Sequence, residues 1–125
     1  MKRFLLILWL SFLLSPPCQA EKAAFMSGFE DLPLMDGLKQ TDEEAVSFDS
    51  PSGRIIEAYA QSSKTGKKEI TGFYNQTLPQ LGWRRISAAK GKTAAYSREG
   101  EILAISIDDG TPISVRFELM TREKE

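Results

Sequence analysis

The chain has 125 residues, 16 basic against 17 acidic side chains, and no histidine. That near-balance excludes a bulk electrostatic binder of nucleic acid. With 42% hydrophobic and 26% charged residues, the length and composition are those of one globular domain, which excludes wholesale disorder and a second domain.

The first twenty residues read as an address. Lys2 and Arg3 open the chain, and Phe4 to Leu14 follow without a charge. As a helix that run spans about 16 Å, too short for a hydrocarbon core of about 30 Å. Ser15-Pro16-Pro17 ends the run, and Cys18-Gln19-Ala20 puts small residues where signal-peptide cleavage needs them. The expectation is a signal peptide over 1–20, cut after Ala20, and a periplasmic location. The alternative is a lipoprotein acylated on Cys18, which wants a small residue where Pro17 stands. A chain cut after Ala20 has no cysteine, so its core must hold it without a disulfide.

Residues 21–44 form an expected irregular apolar arm. Phe25, Met26, Phe29, Leu32, Leu34, Met35 and Leu38 follow neither period 2 nor period 3.6, and Gly28, Pro33 and Gly37 punctuate them. The segment is too apolar for a solvated linker and is expected to lie on another surface.

Regular patterning begins at Ala45, the start of an expected domain over 45–120. Strands are expected over 45–49 and 54–61, joined by the turn residues Ser50-Pro51-Ser52-Gly53. Next, Ile70, Phe73, Tyr74, Thr77, Leu78 and Leu81 recur at helical spacing, with Thr65 as the expected N-cap. Pro79 predicts a kink or fraying in the last turn, and Gly82 suits a left-handed cap. Four more strands are expected over 83–88, 93–98, 101–107 and 112–120, each break containing a glycine. In the last, Ile113, Val115, Phe117 and Leu119 alternate with Ser114, Arg116 and Glu118. Residues 121–125 are a short charged tail. The order β-β-α-β-β-β-β with short links predicts an α+β fold: a single antiparallel sheet with one helix packed on one face. Ile56, Ala58 and Ala60 are expected beneath the helix, where small side chains allow close approach. Ile55, Glu57, Tyr59 and Gln61 are expected on the opposite face.

Phe48-Asp49-Ser50-Pro51-Ser52-Gly53-Arg54-Ile55-Ile56-Glu57-Ala58 and Phe73-Tyr74-Asn75-Gln76-Thr77-Leu78-Pro79-Gln80-Leu81-Gly82-Trp83 resemble a group of uncharacterised small exported proteins of alphaproteobacteria. The arm segment Phe29-Glu30-Asp31-Leu32-Pro33-Leu34-Met35 matches that group as well, so the likeness covers most of the chain beyond residue 20. The resemblance implies an exported location and brings no activity with it.

Without histidine, and without cysteine after cleavage, Ser–His and Cys–His pairs, histidine zinc sites and thiol redox chemistry are excluded in their usual forms. Gly91-Lys92-Thr93 is no phosphate loop, because Ile86 stands where the first glycine belongs and strands flank it. Asp108-Asp109-Gly110 reads as a hairpin turn and Glu43-Glu44 as a solvated run. No catalytic residue, metal or cofactor is expected. The candidate binding residues are Ile55, Tyr59, Tyr96, Ile102 and Arg116 on the open sheet face, with Arg84 from the acid-free stretch between Trp83 and Arg98. Either the arm covers that face, as a marginal and displaceable contact, or a ligand or partner chain does. The basic stretch contacts an anionic surface or charges strand edges against pairing. The functional expectation is an exported, non-catalytic binding or envelope-associated interaction module for an unknown envelope protein or small ligand. Contact with a membrane surface fits the sequence; spanning in the mature form does not. The alternatives are a small carboxylate-dependent periplasmic hydrolase and a subunit that completes a larger assembly through its arm.

Overall fold

A computed structural model describes residues 24–41, 46–51 and 53–122. The expected signal peptide with Cys18, the Glu43-Glu44 pair and the end of the charged tail lie outside the described residues. The elements are β1 (Lys39–Gln40), β2 (Val46–Ser50), β3 (Gly53–Ser62), α1 (Lys67–Thr77), a 3-10 turn (Leu78–Leu81), β4 (Arg84–Ile86), β5 (Ala94–Arg98), β6 (Glu101–Asp108) and β7 (Ile113–Arg122). The strands form one antiparallel sheet in the order β1-β3-β7-β6-β5-β4, and β2 pairs with β3 beside β1. This is the expected α+β architecture with one α-helix on the sheet. The two-residue β1, at the end of the arm, is an addition. β4 is shorter than expected, since the following Ser-Ala-Ala run offers little side chain to a ladder.

The longest-range pairing sets the centre of the fold. β3 runs the full length of β7, with Ala58 opposite Phe117 and Ala60 opposite Val115. Both alanines are fully buried, and α1 presents Ile70 and Tyr74, and the 3-10 turn Leu78, to the same core. Phe73 meets Tyr74 edge-on at 4.9 Å but lies at the core margin, half-buried. Pro79 has no N–H to give, so the α-helix ends at Thr77 and the chain tightens into the 3-10 turn. Gly82 (φ 91°) closes it in the left-handed region, with its N–H bonded to the Pro79 carbonyl at 3.1 Å.

The expected cap differs. Gly66, not Thr65, is the N-cap of α1, and no side chain caps it. Thr65 is turned against the arm instead: a Cβ on Gly37 (φ +95°) would lie 3.0 Å from Thr65 Cγ2. Packing has taken the side chain that capping would use.

The arm also differs from expectation. It lies on the helix face of the sheet, not on the open face. Met26, Leu32 and Leu38 are buried in the same core as Ala58, Tyr74 and Phe117, and Phe29, Leu34 and Met35 pack against it. Tyr74 Oη donates to the Pro33 carbonyl at 2.9 Å and accepts the Met35 N–H at 3.4 Å. Ser27 and Gln40 bond reciprocally, at 2.8 and 3.2 Å, tying the arm's first turn to β1. The reason is dimensional. An eleven-residue helix is about 16 Å long and one helix wide, whereas six strand positions span about 24 Å. α1 cannot cover even its own face, so the arm completes that face first.

Candidate functional site

Strand alternation and register set out the open face row by row. One row runs Phe48, Ile55, Met120, Ile102, Ser97, Arg84 from β2 to β4. The next runs Val46, Glu57, Glu118, Ala104, Ala95, Ile86, and a third holds Tyr59, Arg116 and Ser106. The expected residues Ile55, Tyr59, Arg84, Ile102 and Arg116 therefore share this face, Arg84 at its far edge. α1 and the arm both take the other side; on this face the β2 end is exposed, while Ala95 and Ala104 towards β5 are buried. A shallow groove of about 250 Å³ runs along it past Ile55, Ile102 and Met120. Phe48 and Val46 are 54% and 44% exposed.

Tyr96 corrects the expectation. The Glu99-Gly100 turn pairs Arg98 with Glu101, so Tyr96 stands opposite Leu103 and points into the core. Its hydroxyl donates to Asn75 Oδ1, and the Arg85 guanidinium lies 5.6 Å from its ring centre. Burial pushes the Tyr96 hydroxyl pKa up. The sequence carries the signal: Ile102 on the open face puts Leu103 inward, and a two-residue turn puts Tyr96 on the same side as Leu103.

Charges on the open face neutralise one another. Arg116 Nη2 bonds Glu57 and lies 3.1 Å from Glu118 Oε2, which also pairs with Lys92 Nζ at 3.2 Å. Arg116 Nε is buried without a partner among the described residues. The bond to Glu57 holds the Arg116 pKa above its ordinary value. The basic stretch does not form one patch: Arg84 and Lys92 face the open side, Arg85 and Arg98 the helix side. What remains unengaged at this end of the face is apolar.

A second concavity escaped sequence reasoning. On the helix face, beyond the reach of α1, a cleft of about 200 Å³ lies between the arm loop at Gly28–Leu32 and the strand ends. Its floor is Ile56, Leu103 and Leu119, and Arg54, Arg98, Glu101 and Thr121 stand at its rim. Arg98 grips both oxygens of Asp31 at 2.7 and 3.0 Å, donates to the Leu81 carbonyl at 3.0 Å and stacks 4.3 Å over Trp83. The bond from Arg98 lowers the Asp31 pKa against the opposing effect of burial. Asp31 is thus held ionised at neutral pH, the opposite of what a general acid needs. No local signature joins Asp31 to Arg98 across 67 residues.

Among the described residues no three metal-ligating side chains gather, and no helix is long and apolar enough to cross a membrane. No family model, curated protein or solved structure matches the chain.

Proposed function

We propose that the protein is an exported, non-catalytic interaction module that binds another protein through the open face of its sheet. One observation carries the reading: Phe48 and Val46, the most exposed apolar side chains of the sheet, adjoin Ile55, Met120 and Ile102 on the face that helix and arm leave bare. A contiguous apolar strip beside a self-neutralised charge network has the make-up of an interface, with an apolar centre and a polar rim. The near-neutral charge and the division of the basic residues between two faces disfavour an anionic polymer as the ligand.

The test is site-specific photocrosslinking in cells that export the chain. A photoreactive residue at Ile102 or Met120, neighbours on the same row, is expected to give one adduct of defined mass, the same from both positions. One at Gln76, exposed on the helix, is expected to give none. Equal, diffuse labelling from all three positions would overturn the reading.

A further inference from the structure

β2 is the outer strand along half of β3's edge, and all five of its residues are exposed. The turn decides which of its backbone groups are spent. Ser50 and Gly53 face each other across a two-residue turn, so they exchange ladder hydrogen bonds. Antiparallel alternation then makes Phe48 with Ile55 and Val46 with Glu57 the other bonded pairs. Ser47 and Asp49 turn their N–H and C=O outward, and those groups have no backbone partner among the described residues. Such a row is a template for another strand.

We propose that the occupant is a second copy of this chain, whose β2 pairs antiparallel with this one about a twofold axis through Phe48. Hydrogen-bonded pairs across that axis must join outward-facing residues, which leaves few registers. Centring on Asp49 sets two carboxylates directly opposite each other, an unfavourable placement. Centring on Ser47 overlaps only Val46, Ser47 and Phe48 of the described strand. Centring on Phe48 overlaps all five residues, and Ser47 exchanges both backbone bonds with Asp49 of the second copy, twice by symmetry. In that register Phe48 meets its own counterpart at a non-bonded site, where facing side chains approach most closely. The Ser47 hydroxyl faces an Asp49 carboxylate whose charge Arg54 already balances at 3.2 Å. An unrelated strand would satisfy the backbone equally; the apolar-to-apolar and hydroxyl-to-carboxylate matches select this strand's own sequence.

The axis stands perpendicular to the sheet, so the two sheets become one and both open faces lie on the same side. The Phe48, Ile55 and Met120 rows of the copies then run together. The contact is small, below the about 1,200 Å² of a standard interface, so the dimer exchanges with monomer and grows with concentration. The inference shares only Val46 and Phe48 with the open-face reading and stands on the backbone pattern of the edge.

The experiment uses the chain as purified from cells that export it, with Cys18→Ser as the background for cysteine variants. Non-bonded cross-strand positions lie about 4.5 Å apart at Cα, within the span of about 4.4–6.8 Å that a disulfide bridges. Under mild oxidation Phe48→Cys should link into dimers, whereas Ser63→Cys, exposed in the loop after β3, should not. The sedimentation coefficient should rise with concentration. Ser47→Pro, which removes an outward donor and no bond to β3, should abolish that rise and leave the melting curve in place. A sedimentation coefficient fixed at the monomer value overturns the pairing, as does a Phe48→Cys linkage no faster than that of Ser63→Cys. A monomer whose position 102 still photocrosslinks to another protein defeats self-pairing alone. A dimer with a silent position 102 defeats the open-face reading alone.

Discussion

Arg98 shows how much one side chain holds at the mouth of the cleft. From β5 it reaches the arm through Asp31, the end of the 3-10 turn through the Leu81 carbonyl, and the residue leading into β4 through Trp83. Arg98 is 19% exposed and Asp31 45%, so the pair belongs with partly solvated bridges despite its two-oxygen geometry. Asp31→Asn should lower stability at pH 7 by about 1 kcal/mol or less. The pH dependence has a definite sign. The folded carboxyl titrates below its ordinary value of 3.8, so the pair's contribution is complete above that pH and fades as pH falls through the lower folded value. Urea melts from pH 7 into acid should show wild type and Asp31→Asn converging. A gap that stays constant in acid would mean that another contact holds the arm loop. Tyr74 makes the complementary case in the interior. Its hydroxyl serves the buried Pro33 carbonyl, and burial pushes its pKa far up. Tyr74→Phe orphans that carbonyl and should cost about 1–3 kcal/mol in a denaturant melt.

Elements were legible where side-chain period and local turn chemistry agreed. The alternation of Ile113, Val115, Phe117 and Leu119 and the spacing of Ile70, Tyr74 and Leu78 each named a buried face, and those faces meet. The local decisions that tertiary contacts overrode were less legible. Thr65 is a good capping residue by type, but the arm's turn at Gly37 occupies it. Phe73 sits on the helical stripe, but α1 is rolled so that Tyr74 takes the centre. These placements separate two substitutions. Ala58→Leu pushes a larger side chain between β3 and α1 and should cost about 1–3 kcal/mol. Phe73→Ala opens only the core margin and should cost less than the about 3–5 kcal/mol of a fully buried phenylalanine. If Ala58→Leu melts at the wild-type midpoint, the helix does not bear on the alanines as closely as their burial indicates.

At the scale of the whole molecule the open face could be read from the sequence and the cleft could not, for one physical reason. A strand's two faces follow from its alternation, but the position of a segment without a period follows from whichever apolar area is left uncovered. The width of the sheet against the length of α1 decides that area, and neither is local to the arm. The arm therefore completes the core: Met26, Leu32 and Leu38 are buried, and the Met26 N–H bonds the Leu32 carbonyl at 2.8 Å inside the arm's own turn. Its removal acts on both sides of the contact, because apolar surface on Tyr74, Trp83 and Leu103 loses its cover along with the arm's side chains. Leu32→Ala should cost about 2–5 kcal/mol, a core value for a residue in an irregular segment. Set against a typical total of about 5–15 kcal/mol, deletion of residues 24–38 should abolish the cooperative transition. Hydrogen exchange gives the matching local measure: the amides of Met26, Leu34 and Leu38, each bonded within the arm, should be protected to the same order as the amide of Ile70 in α1. A deletion variant that melts cooperatively at the wild-type midpoint, with free exchange at those amides in the intact chain, would make the arm an appendage and leave the helix face complete without it.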